Sequence, residues 1–205
     1  MINNTSNIIG IKINSSNNTI SSNIILNSNR GIYLSSDSSN NTISENTILN
    51  ASYGIYLYHS GRNNISNNNL SKCTKYGLYL YVSYNNTISG NMFLENNYGN
   101  RVRSSENNKL FKNTVINNKY GMFFCCGGRN NVIYLNVFKQ NSVYNAKDDD
   151  VNQWDNGSVG NFWDDYEEKY LDAIQKDDIW DIPYNIPGRY KNNMDNYPLV
   201  KSFEF

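Results

Sequence analysis

Eight side chains recur where recognition chemistry would need them. Tyr33, Tyr56, Tyr58, Tyr79, Tyr81, Arg101, Arg103 and Phe123 fall at matching positions of successive segments 22 or 23 residues long. A phenol ring joins an apolar body to a polar tip, so a row of them suits contact with sugar rings. Arginine adds a planar fork that meets carboxylate or sulfate groups bidentately. A second column, Tyr53, Tyr76, Tyr98, Tyr120 and Tyr144, runs beside the first. Exposed aromatic strips of this size mark a contact surface. The plainer alternatives are that the tyrosines only support one another, or that they lie beneath the C-terminal tail.

Catalytic constellations are harder to assemble. Glycoside hydrolysis needs two carboxylates about 5 to 9.5 Å apart. The first 147 residues hold four acids, Asp37, Glu45, Glu95 and Glu106, and these occupy unrelated offsets of the repeat. A polysaccharide lyase would want acids gathered around Ca²⁺ near a base, and Arg101 and Arg103 have no acidic neighbour there. A lyase or hydrolase site would therefore have to be composite, with tail acids folded over the body. Metal chemistry is thin as well. His59 stands alone, and Cys73, Cys125 and Cys126 have no C-x-x-C spacing.

What positions these residues is a repeat. The apolar residue that anchors each copy falls at Ile20, Ile43, Ile65, Ile88, Leu110 and Ile133. Three residues on comes Asn23, Asn46, Asn68, Asn91, Asn113 or Asn136, and five on comes another apolar residue. Eleven or twelve on comes Gly31, Gly54, Gly77, Gly99 or Gly121. A fixed period with agreement at several offsets is the mark of a stacked repeat. Short β-branched runs split by Asn, Ser and Gly read as strands and turns. About 22 residues is too short for helical repeats, and the leucine-rich spacing is absent. The prediction is an all-β chain, a single-stranded right-handed parallel β-helix of about six to seven coils. Like residues would stack at roughly 4.8 Å, so the Asn column could form an amide ladder. Residues 1–147 are assigned to the coils and 148–205 to an irregular C-terminal cap.

Charge divides the same way. Of 18 basic and 18 acidic residues, thirteen Lys or Arg and four acids lie in 1–147, against five and fourteen in 148–205. Such a split implies either a tail that folds back on the body or a body suited to anionic partners. Basic residues scattered over different offsets argue against nucleic acid. No apolar run approaches the roughly 20 residues of a membrane span. Met1–Asn4 lacks the layout of a secretion signal. Gly10-Ile11-Lys12-Ile13 already repeats Gly31-Ile32-Tyr33-Leu34, so the chain is expected to start inside a coil. Its open end then suits upstream coils or a protein partner.

The tail carries specific wording: Trp154-Asp-Asn-Gly-x-x-Gly-Asn-x-Trp163-x-Asp-Tyr, Asp177-x-Ile-x-Asp-x-Pro-Tyr-x-Ile-Pro-Gly188, and Asp195-x-Tyr-Pro-Leu199. With the coils, it resembles the NosD-type family of right-handed parallel β-helix proteins, many archaeal members included. The resemblance implies an extracellular, cell-surface or periplasmic β-helix associated with carbohydrate, and its namesake helps supply copper to nitrous oxide reductase. Related tails read D-G-I-G-D, where this chain has Asp178 and Trp180 in place of glycine. That weakens a Ca²⁺ loop at Asp177 and Asp181, because such loops need glycine at their sharp turn. The expectation is a non-catalytic carbohydrate-binding or surface module without a cofactor, its ligand a polysaccharide or surface glycan. The alternatives are the composite lyase or hydrolase and a copper-handling accessory protein.

Overall fold

The computed structural model describes residues 8–190 and 193–202. Among them the chain forms a right-handed parallel β-solenoid of about seven turns, made of three parallel sheets. The anchor sheet stacks six short strands, from Thr19–Ser21 and Thr42–Ser44 to Val132–Tyr134. The return sheet stacks seven, from Ile24–Leu26 to Val137–Lys139 and then Phe162–Trp163. The long-strand sheet stacks seven more: Ile9–Ile13, Arg30–Ser35, Tyr53–Tyr58, Tyr76–Tyr81, Tyr98–Arg103, Tyr120–Cys125 and Tyr144–Asp148. The expected register holds at both ends of the chain. Ile20 pairs with Ile43, Leu110 with Ile133, and Ile11 and Ile13 with Ile32 and Leu34. Residues 1–7 lie outside the described residues.

The corner after each anchor strand is made by a residue in the left-handed region followed by an asparagine that is half-buried at Asn23 and buried in the later coils. After the anchor strands these residues are Ser22, Glu45, Asn67, Gly90, Lys112 and Leu135, with φ between 54° and 65°. The asparagine that follows turns inward and joins the ladder. Asn46 Nδ2 donates to Asn68 Oδ1 at 2.9 Å and to Ile20 O at 3.0 Å. Asn68 repeats this toward Asn91 and Ile43. Its Oδ1 meanwhile accepts from both the backbone and side-chain N–H of the coil before. A neutral amide supplies two N–H donors beside an acceptor oxygen, enough to bond the next coil and a backbone carbonyl together, which is why the column is asparagine. A second ladder, absent from the sequence reading, runs Asn18–Asn41–Asn63–Asn86–Asn108–Asn131–Asn152. A third, Asn96–Asn118–Asn141, serves the last corner. Cys73 precedes it on that column, its backbone N–H donating to Asn96 Oδ1.

Glycine opens the long strands because neighbouring coils pass too close there for a side chain. A Cβ on Gly31 would lie 2.6 Å from the carbonyl oxygen of Gly54, and Gly77 meets Gly99 in the same way. Inside, the columns pack apolar residues without solvent contact, Ile43, Ile48, Ile55 and Leu57 in one coil. One residue breaks the pattern. Asn100 stands where other coils have Ile32, Ile55, Leu78 or Met122. It is 0% exposed and neither side-chain polar atom has a partner.

The cap continues the solenoid before it departs from it. Phe162–Trp163 pairs in parallel with Val137–Lys139, so Trp163 becomes the next member of the inward column after Phe138. The Trp163 ring stacks on Phe138 at 4.4 Å and on Tyr184 at 4.1 Å, which closes the core. All three ladders end on carboxylates. Asn152 and Trp154 Nε1 donate to Asp148; Asn161 and Trp163 Nε1 donate to Asp195. Asn141 donates to Asn145, which donates to Asp164 and Asp165. An amide column running in one direction leaves donors over at its last member, and a carboxylate has only acceptors to offer.

Candidate functional site

The outward side of the long-strand sheet gathers the eight residues expected from the sequence. Tyr33, Tyr56 and Tyr79 occupy one register row, which Arg101 and Phe123 continue. Tyr58, Tyr81 and Arg103 occupy the row two residues on. The neighbouring column Tyr53–Tyr76–Tyr98–Tyr120–Tyr144 completes a strip along the solenoid axis.

Ring orientation corrects the expected mode of contact. Tyr33 and Tyr56 stack at 5.2 Å, Tyr56 and Tyr79 at 5.0 Å, and Tyr98 and Tyr120 at 4.4 Å, with interplanar angles of 29° or less. The coil spacing places these ring faces against the ring of the next coil. Tyr53–Tyr76, Tyr76–Tyr98 and Tyr120–Tyr144 are instead tilted by 40–43°, and Tyr79 and Tyr81 meet Arg101 and Arg103. Faces are therefore occupied by neighbours, and the strip is only half-exposed; Tyr79 retains 9% of its surface. Cys125, which pairs with Arg103 in the outward row, is nevertheless buried at 3% exposure.

The cations lie across these rings. Arg30, at the position where later coils have tyrosine, sits 4.6 Å above Tyr33. Arg101 sits 4.6 Å above Phe123, and its Nη2 lies 3.2 Å from Cys125 Sγ. Arg103 is exposed, donates to the Tyr79 hydroxyl, and lies 5.3 Å over Tyr81. Lys147 covers the other side of Phe123 at 5.1 Å. Burial, the largest cause in each case, pushes the phenols of Tyr56, Tyr79, Tyr98 and Tyr144 above their ordinary value. They stay neutral and able to donate at any physiological pH. Arg30 and Lys147 were not singled out from sequence. The break in the tyrosine column at Arg30 was the signal for the first.

Among the tail carboxylates, Asp149 meets the edge of this strip at Lys147, 3.4 Å away. Asp148 and Asp195 are 0% exposed inside the cap, and Asp165 holds Lys169 at 2.7 Å. Asp177 sits in the turn of the hairpin Gln175–Lys176/Ile179–Trp180, while Asp181 Oδ1 accepts from Ile174 N at 2.7 Å. Both are placed as parts of a turn. His59 packs edge-on against Tyr58 at 4.4 Å.

Against this geometry, the comparison with family models decides the kinship. A model described as periplasmic copper-binding protein (NosD) matches residues 1–168. The chain belongs to the NosD family. The comparison with curated proteins gives no match. The copper in that family's description can be tested against the donors present. Copper takes imidazole, thiolate and thioether ligands gathered in one shell. Among the described residues no three His, Cys, Asp or Glu side chains converge as a metal group. Met122 is locked in the core, His59 is coils away from Cys125, and the Cys125–Cys126 pair is flanked by guanidinium groups. The NosD metal has no fitting donor set on these residues. No helix among them is long and apolar enough to cross a membrane.

Proposed function

We propose that the chain is a non-catalytic binding module whose tyrosine–arginine strip takes an anionic polysaccharide lying along the solenoid axis. The observation that carries this reading is a set of neutral phenol hydroxyls repeated at coil spacing, with Arg30, Arg101, Arg103 and Lys147 held among them. Because ring faces are covered, recognition runs through hydroxyl and guanidinium hydrogen bonds to carboxylates or sulfates, not through stacking on sugar faces. Charge-assisted bonds of this kind contribute about 1.5–3 kcal/mol each, roughly 10- to 100-fold in affinity. A periplasmic setting, as the family description suggests, would present such polymers. The test is titration with polygalacturonate and its neutral counterpart. The full chain should bind the acidic polymer alone, and Tyr58→Ala/Tyr81→Ala/Arg103→Ala, folded by circular dichroism, should lose at least tenfold. Equal binding of the neutral polymer, or no binding of either, would overturn the reading.

The family match supports a second reading, a copper-handling accessory. Stoichiometric Cu(I) binding at micromolar metal would favour it, and its absence would remove it.

A further inference from the structure

Successive side chains of a strand point to opposite faces, so adjacent cysteines ordinarily keep apart. Cys125 ends the strand Tyr120–Cys125, and Cys126 then adopts a left-handed φ of 61°. That turn swings its side chain back, and the two Sγ atoms lie 2.8 Å apart. Both thiols are free. Cys125 is buried, whereas Cys126 is exposed at a groove shared with Asp149, Asp150 and Arg189 of the cap. Asp150 Oδ2 is taken up by the backbone N–H groups of Gly127 and Gly128, at 2.9 and 3.1 Å. Asp149 is paired with Lys147 at 3.4 Å, and the charges closest to the sulfurs are cationic: Arg101 against Cys125, and Arg103 facing Cys126. Burial pushes the Cys125 thiol up to about 12 against the pull of Arg101, so it is the protected partner. Guanidinium neighbours repel a metal cation, so the pair suits exchange chemistry and not coordination.

We propose that Cys125 and Cys126 form a thiol–disulfide exchange site that accepts small-molecule disulfides and closes to a vicinal disulfide. Cys126 Sγ, the accessible thiol, gives up its proton and attacks one sulfur of the incoming disulfide, and the other sulfur leaves as a thiolate that takes up a proton. Cys125 Sγ then gives up its proton and attacks Cys126 Sγ, expelling the second thiol. The protein loses two hydrogens and the small disulfide is reduced to two thiols. This site is separate from the polysaccharide reading and stands or falls without it.

Oxidised glutathione serves as the probe on the full chain, with acid quenching, unfolding, alkylation by N-ethylmaleimide and intact mass. Reduced protein takes up three alkyl groups, one for each cysteine. After oxidation the expected product takes up one, at Cys73, and carries no glutathione. Cys125→Ser should instead keep a persistent glutathione adduct on Cys126. Cys126→Ser should take up two alkyl groups both before and after oxidation. A lasting adduct in the wild-type chain, disulfide-linked dimers, or three alkylations after oxidation would each overturn the proposal.

Discussion

Coil body and cap both bury polar side chains, but with opposite character. In the body the buried groups are neutral amides, each bonded to the same residue one coil on, as in Asn46–Asn68–Asn91. In the cap they are carboxylates, Asp148 and Asp195, fed by the last amide of a ladder and by an indole N–H. The difference teaches how a directional column is brought to an end. It also explains the charge division. Asp148 and Asp195 are turned inward as ladder ends, so these two do not neutralise the cations on the long-strand face. Contacts from cap to body stay local, such as Lys147–Asp149 at 3.4 Å and Asp164 with Gln140 N at 2.6 Å.

Breaking a ladder end should cost most. Asp195→Ala strips three buried donors, Asn161 N, Asn161 Nδ2 and Trp163 Nε1, of their acceptor. A loss of about 3–5 kcal/mol is expected in urea unfolding at pH 6. Placing a carboxylate in mid-column should come next. Asn68→Asp would set acceptor against acceptor at Asn91 Oδ1 and Ile43 O, for about 2–4 kcal/mol by the same measurement. The body should reject the group that the cap requires.

A pH series sharpens the same contrast. Burial lifts Asp195 from 3.8 to about 7 and Asp148 to about 6, against donors that pull both down. A carboxyl raised in the folded state contributes its stability in full below the unfolded value and loses it as pH rises through the folded one. Cap stability should therefore fall from about pH 4 to about pH 7, by at most about 1.4 kcal/mol per pH unit for each carboxyl. Asp195→Asn should flatten the upper part of that slope, whereas substitutions in the amide columns should leave it unchanged. The smallest effect is a gain. Asn100→Leu replaces an unpartnered core amide by the residue type its column uses, and should raise stability by about 1–2 kcal/mol.

The body was legible because it repeats. Six aligned copies exposed the Ile20 column, the Asn23 ladder and the glycine column, and fixed which residues share a face. The Asn18 ladder escaped notice although each copy spells it one residue before its Thr or equivalent. Its partner Asn17, Asn40 or Asn85 looks identical in sequence and differs only by facing solvent in a left-handed turn. Ladder ends occur once each, so no period could reveal that Asp148 and Asp195 complete columns begun more than a hundred residues earlier. The site was legible as a list and not as a surface. Sequence placed Tyr56 and Arg101 on one face, but stacking of rings between coils, which hides their faces and presents their edges, belongs to the coil spacing.

The most direct test of a division between a structural cap and a recognising body compares two variants on one ligand. Polygalacturonate affinity is measured for wild type, Arg103→Ala and Asp195→Asn, at a pH where all three are folded. Arg103→Ala should bind at least tenfold more weakly, and Asp195→Asn should match the wild type. Undiminished binding by Arg103→Ala, or a loss confined to Asp195→Asn, would contradict it.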